Sequence, residues 1–244
     1  MARSGRIALV TGAATGIGRA IAERLAQDGA RVIVNYRRSS AAARDAADVI
    51  AAGGGNAELF QADLSRVEEI RRLFHEVMRR HGRLDVIVTN AGQYLRKPID
   101  QVTEQDFDTL FALNARGTFF ALQEAARHVA DGGRIVHIST GATALQSPQE
   151  IALYCASKVP AEQIVRSLAR VLGPRGVTVN TVSPGFTATD MLPDDPGFRE
   201  AAAQMSPLGR IGTPADIAEV VAYLASEAGG WLTGQNIQAG GGIV

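Results

Sequence analysis

Several things are scarce in this 244-residue chain, and each scarcity narrows its function. Cys155 is the one cysteine, so no internal disulfide can form and nothing points to an oxidising compartment. Net charge is absent too, with 25 basic residues balancing 25 acidic ones, which argues against a general nucleic-acid or anionic-membrane binder. No apolar run approaches the ~18 residues needed to span a bilayer. Met1–Gly5 leads straight into the first apolar run with no signal-type segment, so a soluble cytoplasmic protein is expected. Internal repeats, low-complexity tracts and linkers are also missing. The four histidines, His75, His81, His128 and His137, lack metal-ligand spacing and read as packed or surface residues.

What is present is regular alternation. Short apolar strands are expected at Ile7–Thr11, Arg31–Tyr36, Ala57–Gln61, Val86–Thr89, Arg134–Ser139, Val177–Val182 and Asn236–Gln238. Helical periodicity fills Ile17–Asp28, Ser40–Ala52, Val67–His81, Thr103–Val129, Leu153–Leu172 and Pro214–Ser226. Such alternation implies right-handed crossovers and one α/β domain over 1–244, a doubly wound parallel sheet of about seven strands with helices on both faces. Hydrophobic content of 46% is ordinary for a sizeable core. The proline-rich stretch at 187–214 lies beyond a strand's carboxyl end, where α/β sheets bind ligands. Arg71-Arg72 and Arg79-Arg80 read as the solvated face of a helix.

Two features carry chemistry. The first strand runs into Gly12-Ala13-Ala14-Thr15-Gly16-Ile17-Gly18 and then a helix, an arrangement that turns backbone N–H groups and a helix N-terminus toward a diphosphate. Tyr154 and Lys158 lie one turn apart on one helix face. A cation at that distance lowers a phenol pKa from its reference near 10, giving a proton donor for carbonyl reduction or a base for alcohol oxidation.

The glycine spacing differs from the general dinucleotide fingerprint. With Thr11 in front it resembles the first motif of the short-chain dehydrogenase/reductase family, Thr-Gly-x-x-x-Gly-x-Gly. Four further stretches agree in order: Thr89-Asn90-Ala91-Gly92, Leu113-Asn114-Ala115-Arg116-Gly117, Tyr154 to Lys158, and Ser183-Pro184-Gly185 followed by Thr189. The resemblance implies a Rossmann-type fold and a nicotinamide-dependent oxidoreductase. Its implied catalytic set is Tyr154, Lys158, Asn114 holding a relay water, and a hydroxyl past the fifth strand. That hydroxyl is usually a serine thirteen residues before the tyrosine, here Gly141. Strand register moves the role to Thr140, with Ser139 the alternative and a longer loop through Gln146–Glu150.

The resemblance also implies a cofactor cradle. It comprises Gly12, Thr15, Gly16, Ile17 and Gly18; Asp63 and Leu64 at the adenine; Asn90, Ala91 and Gly92; Tyr154 and Lys158 at the nicotinamide ribose; and Pro184, Gly185, Thr187 and Thr189. At the end of the second strand, Asn35-Tyr36-Arg37-Arg38 lacks the carboxylate that holds both ribose hydroxyls in NAD-preferring members. Arg37, supported by Arg38 or Asn35, suits a 2′-phosphate, while Thr15 lacks the basic residue many NADP enzymes carry there. The balance points to NADP(H) over NAD(H).

The overall pattern is similar to 3-oxoacyl-[acyl-carrier-protein] reductases, implying an acyl-thioester or small-molecule carbonyl substrate and a lid at 187–214. Two departures stand out. The stretch His128–Gly133 lacks docking bases although Arg175 remains, and Gln238-Ala239-Gly240 lacks the usual aspartate. A reductase or dehydrogenase for another small ketone, alcohol or sugar fits as well. A non-catalytic nucleotide sensor is a third reading. Pro160 removes a backbone bond inside the Tyr154 helix. The apolar, glycine-rich end at Ile237–Val244 is expected to pack against a partner subunit, in keeping with the family's homotetramers (or dimers).

Overall fold

The structure, a computed structural model, describes residues 5–146 and 148–244; the first four residues and Ser147 of the Gln146–Glu150 loop lie outside the described residues. Seven strands pair in parallel in the order β3-β2-β1-β4-β5-β6-β7. They are β1 Ile7–Val10, β2 Arg31–Tyr36, β3 Asn56–Gln61, β4 Val86–Thr89, β5 Arg134–Ile138, β6 Thr178–Pro184 and β7 Asn236–Ala239. The order reverses between β1 and β4, so a crevice opens at their carboxyl ends.

Helices α1 (Gly16–Gln27), α2 (Ser40–Ala52) and α8 (Pro214–Ala225) bury apolar stripes on one face. On the other lie α3 (Val67–His81), α5 (Thr118–His128) and α6 (Ala152–Leu172). Each stripe follows from 3.6-residue spacing: in α3, Ile70, Leu73, Phe74 and Val77 are buried. Its Glu68 and Glu69 sit in the first turn, Arg79, Arg80 and His81 in the last, and Gly82 closes it at φ 69°. Arg72 pairs outward with Glu69, and Arg79 and Arg80 with Glu76, the solvated face expected of them. Between β6 and α8 the chain makes a detour through α7 (Pro196–Met205), capped by Asp195, whose carboxylate accepts from the Phe198 N–H at 2.6 Å.

One expected element is corrected. Thr103–Val129 is not a single regular helix but α4 (Glu104–Phe111), a π turn at Ala112–Gly117, and α5. The wider turn still leaves the apolar rhythm helical, which is why periodicity runs across it. It buries Leu113, Asn114 and Gly117. Gly117 lies so close to the Leu64 carbonyl oxygen that a Cβ has no room there. The C-terminal end makes contacts within its own chain. A Cβ on Gly185 would stand 2.6 Å from the Gly240 Cα and one on Gly242 2.9 Å from the Pro207 ring, and the Ser206 hydroxyl donates to the Gly241 carbonyl at 2.9 Å.

Gly117→Ala forces a methyl into the Leu64 backbone and is expected to destabilise the fold by about 2 kcal/mol. In a chain of this length that lowers the thermal midpoint by roughly 4–8 °C; an unchanged midpoint refutes the close approach.

Candidate active site

At the switch point a threonine and an asparagine join β1 to β4. The Thr11 hydroxyl accepts from the N–H groups of Asn90 (2.9 Å) and Ala91 (3.1 Å), and the Asn90 side-chain amide donates to the carbonyls of Thr11 (2.9 Å) and Gly12 (3.1 Å). This draws the glycine loop tight against the strand. Gly12 sits at φ 62°, and a Cβ on it would lie 2.9 Å from the Ala91 Cα. Thr189 packs on Gly16 from the far side. Thr15 caps α1 with no side-chain bond, and no acidic residue occupies the first turn. The loop and the start of α1 line a cleft of about 450 Å³. A tight backbone cradle, uncompensated helix N–H groups and no carboxylate in the first turn fit a diphosphate.

Further along the cleft, Asn35 lines the wall and is bound from within. It is buried, with its Oδ1 accepting from the Gly12 N–H (3.2 Å) and its amide donating to the carbonyls of Phe60 (3.2 Å) and Ala62 (3.3 Å). It therefore braces the glycine loop and has no amide proton left for a phosphate. Tyr36, Arg37 and Arg38 do line the cleft, and among the described residues neither arginine forms an ion pair. Burial works to raise the Asp63 carboxyl, but hydrogen bonds from the Ser65 N–H and hydroxyl, with Arg37 and Arg38 nearby, bring it below its ordinary value. Leu64, Asn90, Ala91, Gly92, Pro184, Gly185, Thr187 and Thr189 complete the wall.

The helix α6 brings Tyr154 and Lys158 to the same cleft. The Lys158 ammonium donates to the Ile138 carbonyl at 3.0 Å and lies 3.0 Å from where a Gly92 Cβ would stand. Burial brings it down to about 8, against the pull of Glu162. Burial pushes the Tyr154 phenol up to about 12 rather than down as spacing suggested, with Cys155 and Tyr94 adding to the rise and a Thr140 hydrogen bond opposing it. One helical turn places the ammonium on a backbone carbonyl rather than on the phenol.

Thr140 is thus the hydroxyl bonded to Tyr154, whereas Ser139 donates to Glu162 at 2.6 Å and is buried. Asn114 exchanges two 2.8 Å bonds with the Gln93 backbone and donates to the Ser157 hydroxyl at 3.0 Å. One Oδ1 lone pair remains for a relay water. Pro160 is tolerated on an exposed turn of α6.

Sequence reasoning missed several lining residues. Tyr94 stands edge-on to Tyr154 at 5.0 Å between centroids, and Phe186 edge-on to Phe198 at 5.7 Å. Their signal was available only as aromatics next to known motifs. Arg175 lies away from the cleft, bonded to Asp131 at 2.7 Å and to the carbonyls of Ala126 and Val129. His137 of β5 is fully buried, its Nδ1 3.0 Å from the Thr89 hydroxyl, and burial and Lys158 bring it down to about 3. No group of residues able to hold a metal occurs among the described residues, and no described helix is long and apolar enough to cross a membrane.

Lys158 has a folded pKa of about 8 against an ordinary 10.5, so it opposes folding while charged, and that penalty fades as pH rises from 8 to 10.5. Lys158→Met is therefore expected to unfold at a higher temperature than wild type at pH 7. The gap should narrow toward pH 10 in paired melts; a gap independent of pH contradicts the buried charge.

Comparison with known proteins agrees with this geometry. The sequence model of the family described as Enoyl-(Acyl carrier protein) reductase matches residues 12–244. A hydroxynaphthalene reductase-like protein of Metarhizium brunneum is 41% identical over 99% of this chain and 96% of its own. The crystal structure of an angucycline C-6 ketoreductase with bound NADP superposes with a TM-score of 0.93 at 42% identity, covering 99% of this chain and 98% of the other. A short-chain dehydrogenase from Burkholderia cenocepacia in complex with NADP gives 0.95 at 37% identity over 100% and 99%. With five motifs gathered at one cleft and this similarity along its whole length, the chain belongs to the short-chain dehydrogenase/reductase family and is an oxidoreductase.

Proposed function

We propose that this oxidoreductase is an NADPH-dependent carbonyl reductase for a bulky, largely apolar ketone, with Tyr154 as general acid. The carrying observation is the lining shared with Tyr154: Tyr94, edge-on to it, and Leu145, Ile151, Phe186, Met191 and Phe198 line the same cleft, with Asp190 the charged residue beside Met191. A fused-ring ketone matches such aromatic edges, and the hydroxynaphthalene and angucycline names of two relatives point the same way. A 3-oxoacyl thioester on a carrier protein is the second reading; the matching family's name supports the carrier-protein thioester, but for an enoyl rather than a 3-oxo group. Against it, Arg175 is spent on Asp131 and backbone carbonyls.

The glycine loop and the start of α1 would hold the cofactor diphosphate, Asp63 and Leu64 the adenine, and Arg37 and Arg38 the 2′-phosphate. Residues 90–92, Tyr154, Lys158, Pro184, Gly185, Thr187 and Thr189 would hold the nicotinamide half. When bound, the nicotinamide supplies the hydride. Tyr154 stays a neutral phenol across the physiological range and gives its proton to the carbonyl oxygen. Thr140, hydrogen-bonded to that phenol, steadies the charge developing on the same oxygen. Lys158 provides a nearby ammonium, and Asn114 fixes the Gln93 backbone beside it. The 187–214 detour with α7 acts as the lid. Exposed Phe107, Phe119, Val159 and Val171 on α4, α5 and α6 support self-association as a homotetramer or dimer.

Tyr154→Phe is expected to abolish turnover while NADPH affinity, read by fluorescence titration, stays within a few-fold. Thr140→Val should lower kcat by ~10²-fold and Ser139→Ala by less; the opposite ranking sinks the assignment of Thr140. A panel holding naphthol-derived ketones and an acetoacetyl thioester separates the two substrate readings, and binding without turnover on any ketone leaves a nucleotide sensor instead.

Cofactor choice has its own test. A charge-assisted bond from Arg37 is worth roughly 1.5–3 kcal/mol, so Arg37→Ala should weaken NADPH about ten- to a hundredfold and leave NADH nearly unchanged. Equal effects on both cofactors would place Arg37 away from the 2′-phosphate.

A further inference from the structure

Beneath the cleft, α6 faces the sheet through a layer of buried polar groups, and its centre is a residue the reaction does not use. Glu162 is about nine-tenths buried, one helical turn past Lys158 on the same face. Its Oε1 accepts from the hydroxyls of Ser139 (2.6 Å) and Thr143 (2.8 Å), and its Oε2 from the Asn236 amide (3.1 Å), whose own Oδ1 accepts from Ser183 at 2.7 Å. Ser139 and Thr143 flank Thr140 in sequence. The one Thr143 hydroxyl proton is shared with the Thr140 carbonyl, 2.9 Å away, so the segment carrying the reactive hydroxyl is held to the Glu162 carboxyl group through Ser139 on one side and through this shared bond on the other.

We infer that Glu162 is a positioning residue with two tasks: it anchors the Thr140 segment to the helix bearing Tyr154, and it supplies the counter-charge that keeps Lys158 an ammonium. The second task rests on what surrounds Lys158. Glu162 is the acidic side chain that favours its charged form against burial, beside the 3.0 Å bond to the Ile138 carbonyl. From β5 the facing titratable group is His137, which stays neutral above pH of about 3. From α6 itself it is Tyr154. Thr181 and Ser183 of β6, Asn236 of β7, Thr143 of the loop after β5 and Asn114 of the π turn carry no charge, and the buried Glu124 of α5 is taken by Arg127 at 2.6 Å. This inference rests on the proposed roles of Tyr154 and Thr140, but its first readout needs no turnover.

Lys97 and Lys158 are the only lysines in the sequence. Unliganded protein labelled with ¹³C at lysine Cε therefore gives two resonances, and Lys97, ion-paired with Asp106 at 2.5 Å, serves as the internal reference. Lys158 is expected to titrate near pH 8 in wild type and at lower pH in Glu162→Gln, with Lys97 unmoved. The alkaline limb of kcat/KM should move in the same direction. A Lys158 midpoint that stays at its wild-type value overturns the counter-charge.

Thr143→Val tests the anchor separately and is the fallback if Glu162→Gln does not fold. It should lower kcat several-fold, with NADPH affinity and the Lys158 midpoint unchanged; an unaltered kcat overturns the anchoring role. If Tyr154→Phe remained active, the catalytic reading would fail while the Lys158 titration still decided the case for Glu162.

Discussion

The clasp between Thr11 and Asn90 is the contact on which the site depends. Four hydrogen bonds close it, all donated from Asn90 and Ala91 to oxygens of Thr11 and Gly12, at the one place where the sheet changes winding sense. Because it fixes the glycine loop against β4, Gly12 meets Ala91 and the next residues, Gly92 and Gln93, meet Lys158 and Asn114. The phosphate end and the reactive end are thereby indexed to one another through three consecutive residues after β4. Parallel strands alone would align these ends only loosely.

A second physical theme is burial. The helix α6 carries its ammonium into a site with a backbone carbonyl and a glycine for near neighbours, and both Tyr154 and Lys158 are displaced toward their neutral forms. A neutral phenol with a strong hydrogen-bond partner is a suitable donor. A lysine drawn toward the physiological range can exchange its proton readily. The energetic cost of that arrangement falls on the fold, where a polar layer between α6 and β5, β6 and β7 replaces what elsewhere on the same face is packed aliphatic core.

Much of this was legible from residue order. Strand and helix positions followed from periodicity, and β2, β4, α2 and α3 have the bounds it implied. The glycine loop and the Tyr154–Lys158 pair were recognisable because each is local, with its geometry set by a turn or a helical repeat. What escaped is non-local. Asn35 looks like a residue at a strand end until the Gly12 amide and two β3 carbonyls are seen around it. The fate of the Tyr154 phenol depends on burial and on Thr140, and neither is contained in a four-residue spacing. The π turn hid behind an unbroken apolar rhythm. Glu162 did leave a trace, as an acidic residue on the buried stripe of a helix one turn past a lysine.

The placement of Asn35 also bears on how such an enzyme can change. Its amide carries the structural duty at the end of β2, so the three side chains that follow, Tyr36, Arg37 and Arg38, face the cleft without holding the loop in place. On the proposed cofactor assignment, support and reading divide between adjacent residues. Selection can therefore rewrite the readers, one substitution at a time, without loosening the frame beneath them. That separation makes this corner of the fold modular, and it offers a physical route by which one scaffold can drift between nucleotide pools while its chemistry stays intact.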